Sequence, residues 1–444
     1  MKRTKQLTIL LLILAVLCLA IVVATGVERH MDSISATSEE ILALSADELT
    51  GISWTNGETS LSFTQTDGVW QDASDGEFPI DQDKMADLLA HFESVTASFI
   101  IEDVEDFTQY GLASPTGTVT LTTADGETVL ELGDYSTMDS KRYVTLGTGT
   151  VYLIEDDPAE YLAEDRDELM RQDTIPDYDT LDSITVEGAA SLAVEYRPDE
   201  ELTYTDRYDY YLNQDGSFQA LDTSKVTGLI STFDGLDRAN YVSYTATGDD
   251  LAQWGLDAPA IQFTVTYTAD DAQSSFVLAF GQDEDGNGYM RMDDSPIVYS
   301  VDEESYEEIT ATDYDALRPD EVLALDWDAV TSVDFTLDDT VYTLTHSGDT
   351  WTINDTEVEF DEVSSAVDAL AVSEFNSEEP AKKQEITFAV HLDNETWPTL
   401  TVALYQYDGE SCLATLDGET LGLVDRSLAV DLTEAVNAIT LGLE

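Results

Sequence analysis

The stretch Tyr110-Gly111-Leu112-Ala113-Ser114-Pro115 occurs a second time as Trp254-Gly255-Leu256-Asp257-Ala258-Pro259. Both copies follow the pattern aromatic-Gly-Leu-x-x-Pro. Glycine adopts backbone angles that other residues avoid, and proline cannot continue a helix. We therefore expect a compact turn that leads into a strand, with the aromatic residue and the leucine buried in the core.

The residues that follow each copy predict the same succession of strands. Alternating apolar residues run from Pro115 to Gly133-Asp134 and from Pro259 to Gly281, each around a central polar turn. Each stretch is typical of a hairpin, and a Gly-Asp turn is expected at the end of the first. A second pair of strands is predicted in each copy, at residues 142–146 and 151–154, and at residues 289–292 and 297–301.

An amphipathic helix is predicted before each copy of the hexapeptide. Apolar residues recur there at positions i, i+3, i+4, i+7 and i+10, which is the spacing of one helix face. Asp81 and Asp222 precede these runs, where a carboxylate can accept hydrogen bonds from the first backbone N–H groups of a helix. The apolar positions are Met85, Leu88, Leu89, Phe92 and Val95 in the first copy, and Val226, Leu229, Ile230, Phe233 and Leu236 in the second.

A third, divergent repeat is predicted near the C-terminus. Val363, Ala366, Val367 and Leu370 have the same helical spacing, but residues 378–383 (EEPAKK) stand where the hexapeptide would follow. Strands are predicted at residues 386–392, 400–405, 411–416 and 420–424. An aromatic residue after a Gly-containing turn opens each repeat, and we expect all three to pack in the core: Trp70, Phe218 and Trp351.

These patterns predict an α+β protein. It consists of tandem repeats of antiparallel β-strands with one main amphipathic helix per repeat, after an N-terminal transmembrane helix. The expected boundaries are residues 1–30 for a cytoplasmic tip and anchor, 31–45 for a stalk, 46–176 for repeat 1, 177–325 for repeat 2 and 326–444 for the divergent repeat 3.

Residues 7–25 form one uninterrupted apolar run, which as a helix is about 28 Å long and matches a bilayer core. Lys2, Arg3 and Lys5 precede it, so the N-terminus is expected in the cytoplasm and the rest of the chain outside. A cleaved signal peptide is the alternative. We favour an uncleaved signal anchor because the run is longer than the apolar part of most signal peptides. Cys18 lies inside this run and cannot pair with Cys412.

The formal net charge of the chain is −74, and the negative charge is concentrated after the predicted anchor, because residues 1–30 are net positive. Such a charge excludes nucleic acid as a natural partner, because phosphate would be repelled, and it disfavours anionic lipid headgroups. The hydrophobic content of 43% in clear periodic patterns favours folded domains over disorder. Two interpretations stay open: an acidic coat that keeps the protein in solution, or a surface that meets a cationic partner.

One stretch resembles a calcium-binding loop. Asp283, Asp285 and Asn287 alternate before Gly288, and Asp294 is twelfth in the count from Asp283. Calcium prefers many oxygen ligands, which such a spacing can supply. The twelfth residue is Asp rather than Glu and the flanks resemble strands, so a polar hairpin turn is the alternative.

No catalytic motif stands out. The sequence lacks Gly-x-Ser-x-Gly, a phosphate-binding glycine loop and His-Glu-x-x-His, and the four histidines have no partners at zinc-ligand spacing. We therefore interpret the chain as non-enzymatic and without a cofactor, calcium excepted. A hydrolase acting on envelope polymers would need two buried carboxyl groups with raised pKa values that face one cleft.

The N-terminal anchor, the hexapeptide, the strand pair, the Gly-Asp turn and the Val-Tyr strand together resemble a bacterial family known as domain of unknown function 4340. Residues 110–154 carry the best likeness, residues 254–301 the next, and the third repeat diverges. The resemblance implies repeated copies of the domain. It also implies an accessory role beside ABC-type transporters related to those of gliding motility.

Two functions follow as expectations. The first is a single-pass scaffold or interaction protein of the bacterial envelope, with its bulk extracytoplasmic, bound to a membrane-protein or cell-wall partner. The second is an extracellular ligand-binding or adhesion module, which could depend on calcium.

Overall fold

The computed structural model describes residues 39–147, 149–337, 340–380 and 383–441. The predicted membrane segment, residues 7–25, lies outside these ranges. Within them, no helix combines the length and the apolar character needed to cross a bilayer. The chain divides into two compact units, one ending at Gln172 and the other beginning at Asp173. The predicted repeat boundaries stay predictions.

The first unit contains one nine-stranded antiparallel sheet in the order β1-β5-β9-β8-β7-β6-β2-β3-β4. One helix, α1 (Gln82–Glu93), lies between β4 and β5 in the chain. The strands are β1 (Glu39–Ala43), β2 (Leu49–Asn56), β3 (Thr59–Thr66), β4 (Val69–Asp72), β5 (Ser94–Ile101), β6 (Gly117–Thr123), β7 (Gly126–Ser136), β8 (Lys141–Thr145) and β9 (Val151–Ile154).

The second unit contains two further nine-stranded sheets. The strands of one are β10 (Thr180–Gly188), β11 (Leu192–Tyr196), β12 (Tyr210–Gln214), β13 (Ser217–Leu221), β14 (Tyr241–Ser243), β15 (Ile261–Ala269), β16 (Ala272–Gln282), β17 (Gly288–Met292) and β18 (Val298–Val301). The other has β19 (Val330–Leu337), β20 (Thr340–Ser347), β21 (Thr350–Ile353), β22 (Thr356–Val358), β23 (Val372–Phe375), β24 (Gln384–Leu392), β25 (Thr399–Gln406), β26 (Ser411–Leu416) and β27 (Glu419–Asp425). The helices are α2 (Thr223–Asp234), α3 (Gly248–Gln253), α4 (Glu303–Thr310), α5 (Tyr314–Leu317), α6 (Asp361–Asp368) and α7 (Arg426–Leu441).

All three sheets share one connection pattern. The first strand of a leading meander pairs with the first strand of a closing meander, as β2 with β6, β10 with β15 and β19 with β24. The strand after the helix crosses to the far side of the sheet and pairs with the last strand of the closing meander, as β5 with β9, β14 with β18 and β23 with β27. In the first sheet β1 adds one more strand outside β5. The α+β class and the repetition predicted from sequence are present in this architecture.

The helices α1 and α2 form where the apolar spacing predicts them. Asp81 and Asp222 cap them, each accepting hydrogen bonds from two backbone N–H groups of the first turn. Both helices end earlier than predicted. Val95 belongs to β5, and Leu236 lies beyond the end of α2, although both are buried. An apolar residue in helical register can still face the core after the helix has ended. The apolar periodicity therefore predicted helices longer than those in the structure.

The third repeat has a second, longer helix that the prediction of one main helix per repeat missed. Helix α6 stops at Asp368, before the predicted Leu370, while the 16-residue α7 follows β27. Ala429, Leu432 and Val436 of α7 are buried in the core of this repeat. Their spacing of three and four residues is the helical signal, and it was present in the sequence.

Part of the predicted stalk belongs to the first sheet. Residues 31–45 were expected to link the anchor to repeat 1, but Glu39–Ala43 form β1 and pair with β5. Leu42 is buried opposite Val95. A single apolar contact with a distant strand decides this assignment, and a local pattern of mostly polar residues does not reveal it.

The opening aromatic residues are core residues, as predicted, in two of three repeats. Trp70 and Trp351 are buried, whereas Phe218 is half-buried beneath the guanidinium of Arg197, 4.4 Å from its ring centre. In the first unit the ring centres of Trp54 and Phe63 lie 5.2 Å apart, and the Trp54 Nε1–H donates to the carbonyl of Ala163 at 3.0 Å. Trp54 therefore ties the first sheet to the segment that contains Ala163.

Two lysines anchor the segment that closes a repeat to the start of its helix. Lys84 Nζ donates to the carbonyls of Glu168 and Met170, at 2.9 and 3.3 Å. Lys225 Nζ donates to the carbonyl of Arg318 at 3.0 Å. Each lysine lies three residues after its capping aspartate. Because lysine is rare in this chain, the repeated Asp-x-x-Lys spacing is a further sequence sign of the repeat, which the hexapeptide and the helix spacing do not include.

Candidate functional site

The hexapeptide turns are held against the neighbouring strand by pairs of glycines. Gly111 and Gly255 have φ angles of 72° and 66°, the left-handed region that favours glycine. A Cβ on Gly255 would lie 2.6 Å from the carbonyl oxygen of Gln282. Conversely, a Cβ on Gly281 would lie 2.5 Å from the carbonyl oxygen of Trp254. The turn and the strand approach each other so closely that both must lack side chains there.

The burial predicted for this motif holds for the leucines only. Leu112 and Leu256 are buried, but Tyr110 and Trp254 are half-buried and lie against other rings, Tyr143 at 5.1 Å and Tyr289 at 5.9 Å. Pro115 is exposed and Pro259 half-buried. The motif is thus a backbone crossing point with an aromatic cover.

The Gly-Asp turn expected at Gly133-Asp134 is wrong. Both residues belong to β7, where the pairing with β8 shifts register between Leu132 and Tyr135. A bulge bends the strand there and turns Gly133 towards the carbonyl of Tyr110. Gly133 is needed because the strand passes close to the backbone of Tyr110. In the sequence, a glycine required for close packing looks the same as a glycine required for a turn.

The predicted calcium-loop residues form a hydrogen-bonded hairpin turn. Asp283 Oδ1 accepts from the backbone N–H groups of Asp285 and Asn287, both at 2.9 Å. Its Oδ2 accepts from Asn287 Nδ2 at 2.9 Å and from the Tyr289 hydroxyl at 2.8 Å. Both oxygens of Asp283 are therefore engaged within the turn.

Asp294, the fourth predicted calcium ligand, forms its ion pair with Arg291 and not with the residues of the turn. Asp294 is fully exposed and pairs with Arg291 at 2.8 Å. In the part of the chain that the structure describes, no three His, Cys, Asp or Glu side chains come together in a way that could hold a metal ion. This geometry supports the polar hairpin turn, and the calcium site stays a prediction.

The hydrogen bonds to Asp283 predict an acid-resistant carboxylate. Donation from the side chain and backbone of Asn287, and from Tyr289 and Asp285, lowers the pKa of Asp283 from 3.8 to about 2. A depressed pKa in the folded chain stabilises it above the ordinary pKa, and this contribution is lost as the pH falls from about 4 to about 2. A carboxyl ¹³C titration should therefore find Asp283 ionised at pH 3. The Asn287→Ala variant should titrate closer to 3.8, and an Asp283 midpoint near 4 in the unmodified chain would contradict this.

The carboxyl pair that a hydrolase needs is not among the described residues. Every described carboxyl group with a shifted pKa is shifted downwards, most by hydrogen bonds that favour the ionised form. One serine and one lysine lie within hydrogen-bond distance of each other, with Lys141 Nζ 2.8 Å from Ser98 Oγ. The Ser98 hydroxyl, however, donates to the carbonyl of Leu153. A nucleophilic serine would have to present that proton to a base instead.

The strongest candidate for a binding site is a cleft of about 250 Å³ in the second unit. It lies where the segment connecting α5 to β19 passes between the last two sheets. Five aromatic side chains line it, together with Arg318 and Glu321: Tyr204, Tyr208, Tyr314, Phe375 and Trp397. None of these residues stands out in the sequence, because they come from three loops, helix α5 and one strand end that no motif connects. Aromatic walls with a few polar groups are typical of ligand sites.

The basic side chains of the described chain are largely used inside the fold. Arg207 Nη2 donates to the carbonyl of Leu325 at 2.7 Å, and Arg238 to the carbonyl of Phe233 at 2.8 Å. Further basic residues contact carboxylates or carbonyls: Lys84, Lys141, Lys225, Arg142, Arg166, Arg197, Arg291, Arg318 and Arg426. These cations pair with local carboxylates or donate to backbone carbonyls, and the far more numerous acidic residues remain in excess.

The family model described as Domain of unknown function (DUF4340) matches the chain twice, at residues 70–215 and 205–388. Together these matches span more than half of the chain. The chain belongs to this family. The resemblance predicted from the hexapeptide and its repeated context is thereby confirmed. No curated protein matches the chain.

The DUF4340 matches do not coincide with the sheets. The first begins in β4 and runs through α1 and β5–β9 into the leading meander of the next sheet. The second begins before β12 and runs through β18 and the leading meander of the third sheet into β24. Each match therefore joins the closing half of one sheet to the leading half of the next. The closing meander of the third sheet, beyond residue 388, lies outside both.

Proposed function

We propose that this DUF4340 protein is a non-enzymatic, single-pass membrane-anchored scaffold on the extracytoplasmic side of a bacterial envelope. Its repeats would serve as an interaction surface for a membrane-protein or cell-wall partner. The observation that carries the proposal is the charge distribution. The chain has 92 acidic against 18 basic residues, and most described basic side chains are occupied within the fold.

This distribution favours a partner with a cationic surface. An excess of one charge steers an oppositely charged partner and repels nucleic acid and anionic lipid. The absence of raised carboxyl pKa values among the described residues supports a binding role over hydrolysis. Membrane attachment rests on the apolar run at residues 7–25 and the preceding Lys2, Arg3 and Lys5. The family resemblance adds an ABC-type transporter of the gliding-related class as the partner we would test first.

The anchor is tested by fractionation of cells that make the full chain. We expect the protein in the membrane pellet after alkaline carbonate washing, and protease added to intact spheroplasts should degrade the bulk of it. A variant with Leu11→Arg and Ala15→Arg in the apolar run should leave the pellet, because arginine at a helix centre costs about 3 kcal/mol. A carbonate-soluble unmodified chain, or one shortened at its N-terminus, would refute the uncleaved anchor.

The partner is tested by crosslinking in intact cells followed by purification of the tagged chain. We expect components of an ABC-type transporter in the crosslinked fraction. Without crosslinking, their recovery should fall steeply as salt is raised to about 1 M, where the Debye length is about 3 Å. Recovery that does not depend on salt would contradict a charge-driven interface. Recovery of cell-wall proteins alone would redirect the proposal to that partner.

A ligand-binding module is the second candidate function. The aromatic cleft of the second unit favours it, since five aromatic rings and two charged residues line it. The calcium dependence once attached to this candidate has no support from the geometry of Asp283 and Asp294.

A further inference from the structure

One carboxylate in the aromatic cleft has no partner. Glu321 Oε2 is buried, and no hydrogen-bond donor reaches it in the part of the chain that the structure describes. A buried polar atom without a partner costs about 1 to 3 kcal/mol, and a charged one costs more. The backbone around Glu321 is fixed, because Val322 donates to the carbonyl of Leu370 and Val372 to that of Asp320. Glu321 as a whole is half-buried and lines the cleft, so its carboxylate is held there without a partner among the described residues.

The cations nearest to the cleft are committed to other groups. Arg318 Nε lies 3.2 Å from Asp315 Oδ1, an ion pair without hydrogen-bond alignment. Arg318 Nη2 donates to the carbonyl of Leu421 at 2.8 Å. The guanidinium also lies 3.5 Å from the ring centre of Phe375, which covers one of its faces. Among the described residues, Arg318 thus pairs with Asp315, Leu421 and Phe375 and forms no ion pair with Glu321.

Lys225 and Arg207 are committed as well. Lys225 Nζ pairs with Asp320 Oδ1 at 2.7 Å, and Arg207 donates to the carbonyl of Leu325. Glu321 therefore forms no ion pair in the described part of the chain. Its Coulomb interaction adds to burial, the largest cause, in raising the pKa values of Tyr204 and Tyr208.

We propose that this cleft binds a small organic ammonium ion, with Glu321 as its counter-ion. The rings of Tyr204, Phe375 and Trp397 would surround the apolar body of the ligand, and aromatic faces attract an ammonium group directly. The volume of about 250 Å³ exceeds the roughly 150 Å³ of an engineered cavity that binds benzene, so an aryl-alkyl amine has room. This proposal rests on the second candidate function and is independent of the anchor and its partner.

Other ligand classes fit the cleft less well. A calcium ion needs six to eight oxygen ligands, whereas the cleft offers one free carboxylate among rings. An anion would be repelled by Glu321 and would find Arg318 already paired with Asp315 and covered by Phe375. An ammonium ion supplies both the positive charge and the N–H donors that Glu321 lacks.

The test is calorimetric titration of the full chain with phenethylammonium chloride. Two probes of the same shape serve as controls: neutral 2-phenylethanol and anionic 3-phenylpropionate. We expect phenethylammonium to bind at one site, at least about tenfold more tightly than 2-phenylethanol, and 3-phenylpropionate not to bind. Equal affinity for all three probes, or no binding of phenethylammonium, would overturn the proposal.

Glu321→Gln separates ligand binding from folding. It should weaken phenethylammonium binding about tenfold and at the same time raise the midpoint of thermal unfolding, because a half-buried charge without an ion pair is gone. Glu127→Gln removes the same formal charge from an exposed position in the first sheet and should change neither quantity. Unchanged affinity in Glu321→Gln would overturn the assignment of the counter-ion.

Two further arms identify the aromatic wall and the source of the amine. Trp397→Leu keeps Glu321 and should weaken phenethylammonium more than methylammonium, which does not reach the wall. Nα-acetyl-lysine methylamide imitates a lysine on a partner chain and should bind more weakly than phenethylammonium. Tighter binding of the lysine mimic would overturn the small-molecule occupant in favour of a polypeptide. Failure to recover an envelope partner from cells would leave all these affinities unchanged. The scaffold proposal and the ammonium-site proposal can therefore fail independently.

Discussion

Replacing Gly281 with alanine is expected to destabilise the second unit by about 3 kcal/mol or more, the upper range for overpacking a dense interior. The added methyl group would lie 2.5 Å from the carbonyl oxygen of Trp254 and 2.6 Å from the carbonyl carbon of Gly255. These are backbone atoms, so no side-chain rotation relieves the clash. Gly281 also lies within β16, paired with Tyr289, and cannot move without breaking that pairing.

The measurement is the midpoint of denaturant unfolding, followed by circular dichroism. Gly228→Ala is the matched control, because Gly228 lies within α2 and a Cβ there meets nothing within 4 Å. Alanine should stabilise that helix by about 0.5 to 1 kcal/mol. If Gly281→Ala unfolded at the same midpoint as the unmodified chain, the close crossing of turn and strand would be incorrect.

Replacing Arg142 with methionine is expected to cost the first unit about 3 to 5 kcal/mol, because it leaves a buried carboxylate without its counter-charge. Asp157 is 4% exposed, and Arg142 Nε lies 2.5 Å from its Oδ1. Arg142 Nη1 also donates to the carbonyl of Gly133 at 2.6 Å, which ties the bulge of β7 to the segment after β9. One substitution therefore releases both the charge pair and the bulge.

Unfolding of two further variants shows whether the buried charge is the cause. Arg142→Met combined with Asp157→Asn should recover part of the loss, because asparagine carries no charge and can still cap the turn at Ala159. Asp294→Asn breaks the ion pair with Arg291 at a fully exposed position and should change stability little. A loss in Arg142→Met no larger than in Asp294→Asn would contradict the prediction.

Local structure was predictable where one face of an element is apolar and the other is polar. In the hairpins after Pro115 and Pro259, apolar residues recur at every second position. In α1 and α2 they recur at every third and fourth position. Their caps, Asp81 and Asp222, act on backbone groups two and three residues away. Such signals are complete within one short segment, because all the interacting groups belong to it.

The sequence alone determined that this is an α+β protein built from DUF4340 repeats, with a strongly acidic composition and an apolar N-terminal run. Only the tertiary structure decided that β1 pairs with β5, that Gly281 faces Trp254 and that Glu321 Oε2 has no hydrogen-bond partner among the described residues. Each of these depends on groups far apart in the chain. Strand order, close backbone approach and the pairing of charges are properties of such distant neighbours, and no local period in the sequence encodes them.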